Sequence, residues 1–469
     1  MTDKKDSLPK HLTMGGPGDK FIGGGKVNTE DWFVRVPPYD ELEKQIKDQE
    51  IWFCSAPFQM LYTDTLGNFL PCSWADVEAF PSCNVKDTSI KDWFIDDSNL
   101  NQLREEMLTP NSDLTTAKKW CTSCLKQENK YGRSRRQSSL KIQSNDKGIW
   151  PGIRKAVDIY KKTGKGSIDQ RIFEVQIKVF GNKCNLDCYM CLPYDSSTRA
   201  TTMNSDDLKD QKIFGELSME ASRKLKTIKT EFSSSVIDQI TEIAPYIYNL
   251  KLIGGEPLVM KNYYQLLQQI VDSGHSDKIM VKYQTNMSVL ELNRLKIIDF
   301  IPKFDLFEFT VSLDSIGKEN DYIRRRSNWD EIVNNIKSVS KYPNVRINVN
   351  GAISFLSVLS FYKLIDWFDK NVKHLNLSQI NWSNIRNPEL LTANMLPEEI
   401  KQELIPKYEG FPDIQNVLKE GHGNLDYQDT FEYLLMNDNY YKDTKYEMHL
   451  FDVFPELEKF YKPITKDKK

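Results

Sequence analysis

Short apolar stretches alternate with amphipathic stretches from residue 173 to about residue 390. Six of them are rich in β-branched and aromatic residues, which predicts strands. The predicted strands cover 173–180, 249–255, 279–286, 306–314, 345–354 and 375–382. Apolar residues recur at helical spacing between most of these strands. Because strand–helix alternation is typical of parallel βαβ units, we expect an α/β fold whose six strands form a partial (β/α)6 barrel.

The first third of the chain has a different pattern. Two aromatic-rich runs between 51 and 74 flank a polar segment that contains Gly67, which predicts a β-hairpin. The stretch from Ser89 onward predicts one or two amphipathic helices. We therefore divide the chain into a flexible tail at 1–45, a hairpin-and-helix domain at 46–140, a linker containing a helix at 141–170, the barrel at 171–390 and a helical C-terminal extension at 391–469.

Composition and charge narrow the classes of function. The chain has 469 residues, 39% of them hydrophobic and 28% charged, and its formal net charge of −3 gives no broad basic surface for nucleic acid. No apolar run reaches the ~18 residues of a membrane span, and the first twenty residues lack the apolar centre of a secretory signal. We expect a cytoplasmic protein without a membrane or nucleic-acid partner. Its eight cysteines should then be thiols, metal ligands or redox groups.

Three of the cysteines follow the first predicted barrel strand. Cys184, Cys188 and Cys191 form a C-x3-C-x2-C pattern, and three thiolates so close together can hold one corner of an iron–sulfur cubane. A 4Fe–4S cluster with three protein ligands leaves one iron open for a substrate or cosubstrate. Zinc completed by a fourth ligand is the alternative for such a site.

This pattern resembles the signature of the radical S-adenosylmethionine (SAM) enzymes, and the resemblance covers about 170–390. It implies that the open iron binds the amino and carboxylate groups of SAM, and that the aromatic Tyr189 lies near the adenine. It also implies that segments at the ends of later strands contact SAM. These residues are Gly254, Gly255, Glu256 and Pro257 of a GGEP segment, Thr285 and Asn286, Ser312 and Asp314, and Arg324.

Two features of these segments depart from the family or leave its register open. Met287 stands where the family usually has glycine after the Thr–Asn pair. Arg324 fits the carboxylate-binding arginine best, but Arg325 and Arg326 leave the register open by one residue. The implied activity is reductive cleavage of SAM to a 5′-deoxyadenosyl radical that abstracts a hydrogen atom, with electrons from a donor such as flavodoxin or ferredoxin.

Four other cysteines form a second predicted site. The hairpin brings Cys54 and Cys72 together, while Cys121 and Cys124 form a C-x2-C pair. Four thiolates suit either tetrahedral zinc or a fully ligated iron–sulfur cluster, and spacing alone leaves both open. The pattern resembles the auxiliary-cluster twitch domain, a shorter relative of the SPASM domain, which implies a second 4Fe–4S cluster. In most relatives this domain follows the barrel, whereas here it precedes it. We expect Cys83, the eighth cysteine, to be a free thiol, with a stand-in ligand or a reactive group as the alternative.

The resemblance favours an oxidoreductase or modifying enzyme that acts on a peptide or protein, since many SPASM and twitch relatives do so. A radical SAM dehydrogenase of a small molecule is the alternative. A non-catalytic zinc or electron-transfer protein is a third hypothesis, which leaves the GGEP segment unexplained. For the substrate, sequence position offers only Asn348, Asn350, Trp382 and Asn384 as candidate contacts.

Overall fold

The computed structural model describes residues 41–76, 83–132, 134–144, 146, 148–168, 173–209, 233–423 and 425–463. The predicted tail lies outside the described residues up to residue 40, as do 464–469 of the predicted C-terminal extension. The part of the predicted tail that is described, 41–45, belongs to a helix.

The strands confirm the α/β prediction. They are β1 (Met60–Thr63), β2 (Phe69–Leu70), β3 (Phe173–Ile177), β4 (Asp187–Cys188), β5 (Ile247–Leu252), β6 (Met280–Thr285), β7 (Glu291–Leu292), β8 (Leu295–Lys296), β9 (Leu306–Ser312), β10 (Arg324–Arg325), β11 (Val345–Ile353) and β12 (Leu377–Asn384). Eight of them form one sheet in the order β12-β11-β9-β6-β5-β3-β1-β2. All neighbours in it are parallel except β1 and β2. The six strands predicted from sequence are all in this sheet, which is a partial barrel.

Helices connect and cover the strands. They are α1 (Glu41–Lys47), α2 (Ala56–Gln59), α3 (Ile90–Asp96), α4 (Ser98–Leu108), α5 (Ala117–Trp120), α6 (Thr122–Tyr131), α7 (Arg135–Ser144), α8 (Ile149–Thr163), α9 (Ser197–Met203), α10 (Ser233–Glu242), α11 (Lys261–Asp272), α12 (Gly317–Ile323), α13 (Trp329–Val339), α14 (Phe361–Asn371), α15 (Glu398–Leu404), α16 (Pro412–Lys419), α17 (Tyr427–Tyr440) and α18 (Leu450–Val453). Side-chain caps from Ser89 and Asp97 explain why the run after residue 88 forms two helices, since each accepts a hydrogen bond from the first turn that follows it. In the described part of the chain, no helix combines the length and apolar character that a bilayer span needs.

The two faces of the sheet differ in chemistry because successive strand residues point to opposite sides. Residues such as Val175, Leu250 and Phe309 are buried in one core with helix residues that include Leu267 and Ile336. The opposite side, which we call the polar face, carries charged and amide side chains. Its members include Glu174, Gln176, Asn249, Lys251, Lys282, Gln284, Glu308, Thr310, Asn348 and Asn350.

The hairpin of the N-terminal domain is part of the barrel sheet. Strand β1 pairs in parallel with β3, from Met60 opposite Glu174 to Thr63 opposite Ile177. Strand β2 then pairs antiparallel with β1, as the hairpin prediction requires. The predicted domains at 46–140 and 171–390 therefore share one sheet.

Candidate active site

The carboxyl ends of the parallel strands surround a cavity of about 360 Å³, which we call the upper cavity. Most residues predicted to hold a cluster and SAM line this cavity. They are Cys184, Cys188, Cys191, Gly254, Gly255, Glu256, Thr285, Asn286, Ser312 and Arg324. Separate segments of the chain therefore converge on a space large enough for a small-molecule ligand.

Gly255 holds the GGEP segment against the cysteine loop. Its φ is +42°, and a Cβ built on it would lie 2.1 Å from the carbonyl oxygen of Lys183. The backbone N–H of Glu256 donates to that same carbonyl at 2.8 Å. Glycine is required here because two backbones meet with no room for a side chain.

Glu256 places a buried carboxyl at the wall of the upper cavity. Its oxygens accept hydrogen bonds from the Thr285 hydroxyl at 2.7 Å, the Asn286 backbone N–H at 2.6 Å and the Leu258 backbone N–H at 3.0 Å. Burial raises the pKa of Glu256 to about 7, although these three donors act in the opposite direction. A cationic group of a ligand in the cavity would favour the ionised carboxylate.

Arg324 is fixed beside the cysteines by a short strand pair. In the pairing of β10 with β4, Arg324 lies opposite Cys188, and its Nη1 is 3.8 Å from the Cys188 Sγ. Its Nε is 2.9 Å from Oδ2 of Asp314, which is fully buried. The guanidinium therefore stays charged and oriented at the cavity wall.

The two arginines that follow have other neighbours. Arg325 is buried and its Nη2 lies 2.5 Å from Oδ1 of Asp438. Arg326 is exposed, and its guanidinium lies 5.1 Å from the ring centre of Tyr446. Of the three arginines, Arg324 is the one that lines the upper cavity.

Three predicted SAM-contact residues do not line the upper cavity. Tyr189 is buried with its ring 6.4 Å from that of Tyr322. Pro257 begins the short 3-10 helix Pro257–Val259 that follows Glu256. Asp314 reaches the cavity only through its ion pair with Arg324.

The four candidate substrate contacts are spread over the last two strands of the sheet. Asn350 lines the upper cavity, and Asn348 is buried on the polar face. Asn384 is half-buried at the end of β12. Trp382 is buried in the apolar core, where its indole N–H donates to Asp413 at 2.5 Å.

The C-terminal extension supports the cysteine loop, which the sequence did not reveal. Asp187, next to Cys188, is fully buried and accepts three hydrogen bonds. Its donors are Arg199 at 3.3 Å, Thr202 at 2.7 Å and Tyr441 at 2.6 Å. The Tyr433 hydroxyl donates to the backbone carbonyl of Tyr189 at 2.8 Å. Tyr433 of α17 and Tyr441, which follows that helix, therefore hold the cysteine loop in place, although they are more than 230 residues further along the chain.

The other four predicted ligand cysteines line a second, smaller cavity. Cys54, Cys72, Cys121 and Cys124 surround about 110 Å³ of space, which we call the lower cavity. Met60 and Glu174 line it as well, and these residues lie at the amino ends of β1 and β3. The lower cavity is therefore at the opposite end of the sheet from the upper cavity.

Aromatic and basic side chains enclose the lower cavity. The guanidinium of Arg135 lies 5.0 Å from the ring centre of Trp74, and that of Arg136 lies 4.5 Å from that of Trp52. The Trp74 backbone N–H donates to the Cys72 sulfur at 3.4 Å. These cations and the Trp74 N–H act to lower the pKa of the thiols, but they do not cancel the opposite effect of burial.

Cys83 lies apart from the lower cavity, with its thiol 3.4 Å from the Asp97 carboxylate.

Burial raises the pKa of the Cys54 and Cys184 thiols to about 12 and of Cys72 and Cys188 to about 11. A bound cation is what would ionise them. No group of three or more His, Cys, Asp or Glu side chains in the described ranges is arranged to hold a single metal ion.

The central part of the chain is similar to a known protein family. Residues 178–351 match the Radical SAM superfamily, whose members use a 4Fe–4S cluster and SAM. No curated protein matches the chain.

Solved structures give distant matches. The native anSMEcpe structure with bound AdoMet is 16% identical with a TM-score of 0.33, and the match covers 51% of this chain and 62% of that one. Streptococcus suis SuiB bound to S-adenosylmethionine is 13% identical with a TM-score of 0.31, covering 85% and 74%. SuiB bound to its precursor peptide SuiA is 12% identical with a TM-score of 0.31, covering 86% and 74%. The match to the Radical SAM superfamily covers 174 of the 469 residues of this chain.

Proposed function

We propose that the chain is a radical SAM enzyme that reductively cleaves SAM and abstracts a hydrogen atom from a peptide or protein substrate. The observation that carries this proposal is the convergence of three cysteines, Glu256 and Arg324 on the upper cavity. These residues all lie within the region that matches the family.

The residues of the upper cavity fit a cluster and SAM in their chemistry. Cys184, Cys188 and Cys191 would hold a 4Fe–4S cluster with one open iron. With SAM bound, the reduced cluster would give one electron to SAM, which would break into methionine and a 5′-deoxyadenosyl radical that takes a hydrogen atom from the substrate. Glu256 would accept hydrogen bonds from the amino group of SAM, and Arg324 would donate to its carboxylate. Because the side chains of Glu256 and Arg324 are largely buried, water would compete little with the amino and carboxylate groups of SAM for these contacts.

We propose that the lower cavity holds a second, auxiliary cluster. Cys54, Cys72, Cys121 and Cys124 would hold a fully ligated 4Fe–4S cluster, which has no open iron. Residues of the polar face line both cavities, Glu174 at the lower and Lys178 at the upper. These two residues are four apart, or roughly 13 Å at about 3.3 Å per strand residue. A substrate on the polar face would lie between the two sites.

The peptide or protein class of substrate rests on the resemblance to twitch and SPASM enzymes rather than on a bound ligand. A flavodoxin or ferredoxin is the reductant that we propose. A short open reading frame beside the gene, co-expressed with the enzyme and altered in mass only in its presence, would identify a peptide substrate.

The test is anaerobic reconstitution of the full-length protein with iron and sulfide. We expect about eight irons per chain, four for each cluster, and 5′-deoxyadenosine on reduction in the presence of SAM. The Cys184→Ala variant should lose 5′-deoxyadenosine formation and about half of the iron. The Cys54→Ala variant should also lose about half of the iron, because it removes a ligand of the cluster proposed for the lower cavity.

Cys83→Ala is the matched control, because Cys83 lies outside both cavities. It should keep the iron content and the SAM cleavage of the unchanged protein. Tightly bound zinc in place of iron, together with no 5′-deoxyadenosine, would overturn the proposal. Zinc at the lower cavity with SAM cleavage intact would overturn only the second cluster.

A further inference from the structure

A row of charged side chains crosses the middle of the polar face. Strand pairing places its members side by side on five adjacent strands. They are Gln176 on β3, Lys251 on β5, Lys282 on β6, Glu308 on β9 and Arg346 on β11. We call these five residues the charged row. Because Glu174 of the same face lines the lower cavity and Lys178 lines the upper cavity, the row lies between the two cysteine sites.

The charged row has more positive than negative charge. Glu308 is its carboxylate, and it is shared by Arg346 at 3.3 Å and Lys282 at 3.9 Å. For the ammonium of the third cation, Lys251, the described residues provide no hydrogen bond and no ion pair. A cation in a partly buried position without a partner is costly unless an anion reaches it.

The charges around Lys251 do not neutralise it. Burial lowers the pKa of Lys251, Arg135 and Lys282 lower it further, and Glu174 and Glu308 oppose that effect from a distance. Two of these neighbours, Glu174 and Arg135, also line the lower cavity, and the other two belong to the charged row. Lys251 itself lines neither cavity.

Amide oxygens in the charged row and beside it also lack partners. The side-chain carbonyls of Gln176, Asn249 and Asn348 are buried and accept no hydrogen bond. All three residues are less than a tenth exposed, at 4%, 8% and 6%. Buried acceptors of this kind cost free energy unless N–H or O–H donors reach them. The polar face thus contains the ammonium of Lys251, which has no anionic partner, and three amide oxygens that have no hydrogen-bond donor.

An acidic peptide has the complementary groups. Its side-chain carboxylate matches the ammonium of Lys251, and its backbone N–H groups match the orphaned amide oxygens. We propose that the charged row binds a carboxylate of the substrate, with Lys251 as the principal contact and the substrate an acidic segment of a peptide. That the bound peptide is a substrate rests on the proposed radical SAM function. The row would place this segment between the upper and lower cavities.

The test measures binding directly, without turnover. Two fluorescein-labelled probes, a tetraglutamate peptide and a tetraglutamine peptide, are titrated with full-length protein and followed by fluorescence anisotropy, with and without reconstituted clusters. We expect the tetraglutamate probe to bind at least about tenfold more tightly, as a charge-assisted hydrogen bond predicts. Free glutarate, as an unlabelled competitor, tests whether a carboxylate without a peptide backbone suffices.

Lys251→Met removes the ammonium and keeps most of the aliphatic side chain. It should weaken tetraglutamate binding about tenfold and leave tetraglutamine binding unchanged. Lys337→Met is the control, since it makes the same charge change at an exposed position of α13. Equal binding of both probes to the unchanged protein, or equal losses in the two variants, would overturn the inference. Displacement by glutarate at the peptide's own concentration would overturn the peptide part of it.

SAM cleavage by the same preparation of unchanged protein keeps the two proposals separate. Tetraglutamate preference with no 5′-deoxyadenosine would support the binding site and overturn the proposed enzyme. SAM cleavage with no preference between the probes would support the enzyme and overturn the carboxylate site.

Discussion

The contact between Gly255 and the Lys183 carbonyl gives a quantitative test of how the upper cavity is assembled. Gly255→Ala would place a Cβ 2.1 Å from that oxygen and within 2.7 Å of two backbone atoms of Asn182. Because backbone atoms cannot turn aside as a flexible side chain can, the GGEP segment or the cysteine loop has to move. The hydrogen bond from Glu256 to Lys183 would be strained with them.

The size of the effect follows from comparison with another glycine. Gly274, after α11, has a φ of +75° and nothing within 4 Å of a built Cβ. Gly274→Ala should therefore lower the free energy of unfolding by about 1 kcal/mol, which is the cost of placing alanine in the left-handed conformation. Gly255→Ala adds the cost of forcing an atom into a filled space, about 1–3 kcal/mol. We expect a total of about 2–4 kcal/mol for Gly255→Ala.

Urea unfolding of the cluster-free full-length protein, followed by circular dichroism, measures both variants. Gly255→Ala should lower the unfolding midpoint by two to four times as much as Gly274→Ala, a ratio that follows from these costs. After reconstitution, Gly255→Ala should also bind SAM more weakly, while Gly274→Ala should bind it normally. Equal midpoints for the two variants would refute the close approach of the two backbones.

Two further predictions concern the support of the cysteine loop. Arg325→Gln should cost about 3–5 kcal/mol in urea unfolding, because it leaves the buried Asp438 carboxylate without its cation. Arg326→Gln should cost less than about 1 kcal/mol, since Arg326 is exposed and its guanidinium makes a cation–π pair with Tyr446. Similar losses in both variants would contradict the observed register. Tyr441→Phe should cost about 1.5–3 kcal/mol by removing a donor to the buried Asp187. An unchanged unfolding midpoint in Tyr441→Phe would show that the C-terminal extension does not brace the loop.

The regular pattern from residue 173 onward made the barrel predictable. Apolar and polar residues alternate along most of its strands because one face is core and the other is polar, so six strands were predicted at nearly their observed bounds. The addition of β1 to the same sheet could not be predicted. Strand β1 has only four residues, and its partner β3 lies more than 100 residues further along the chain. A strand that short carries no signal of which edge it joins.

Some residues of the candidate site could be predicted from the sequence, and others needed the structure. The cysteines and the GGEP segment were recognisable because short spacings in sequence fix short distances in space. The register of the three arginines needed the pairing of Arg324 with Cys188, which joins residues 136 apart. Met287 shows a further limit: it replaces the expected glycine but keeps a φ of +56°, so the backbone shape persists without the residue that usually reveals it.

The pairing of β1 with β3 has a consequence for how the chain can be divided. The outer side of β3 would otherwise be an exposed edge, with free N–H and C=O groups that recruit strands from other molecules. Strand β1 covers this edge, and the short β2 covers β1 in turn. The cysteine-bearing hairpin therefore also protects the barrel from aggregation. A fragment cut between residues 144 and 173 would lose this protection, so the barrel is best studied with its N-terminal domain attached.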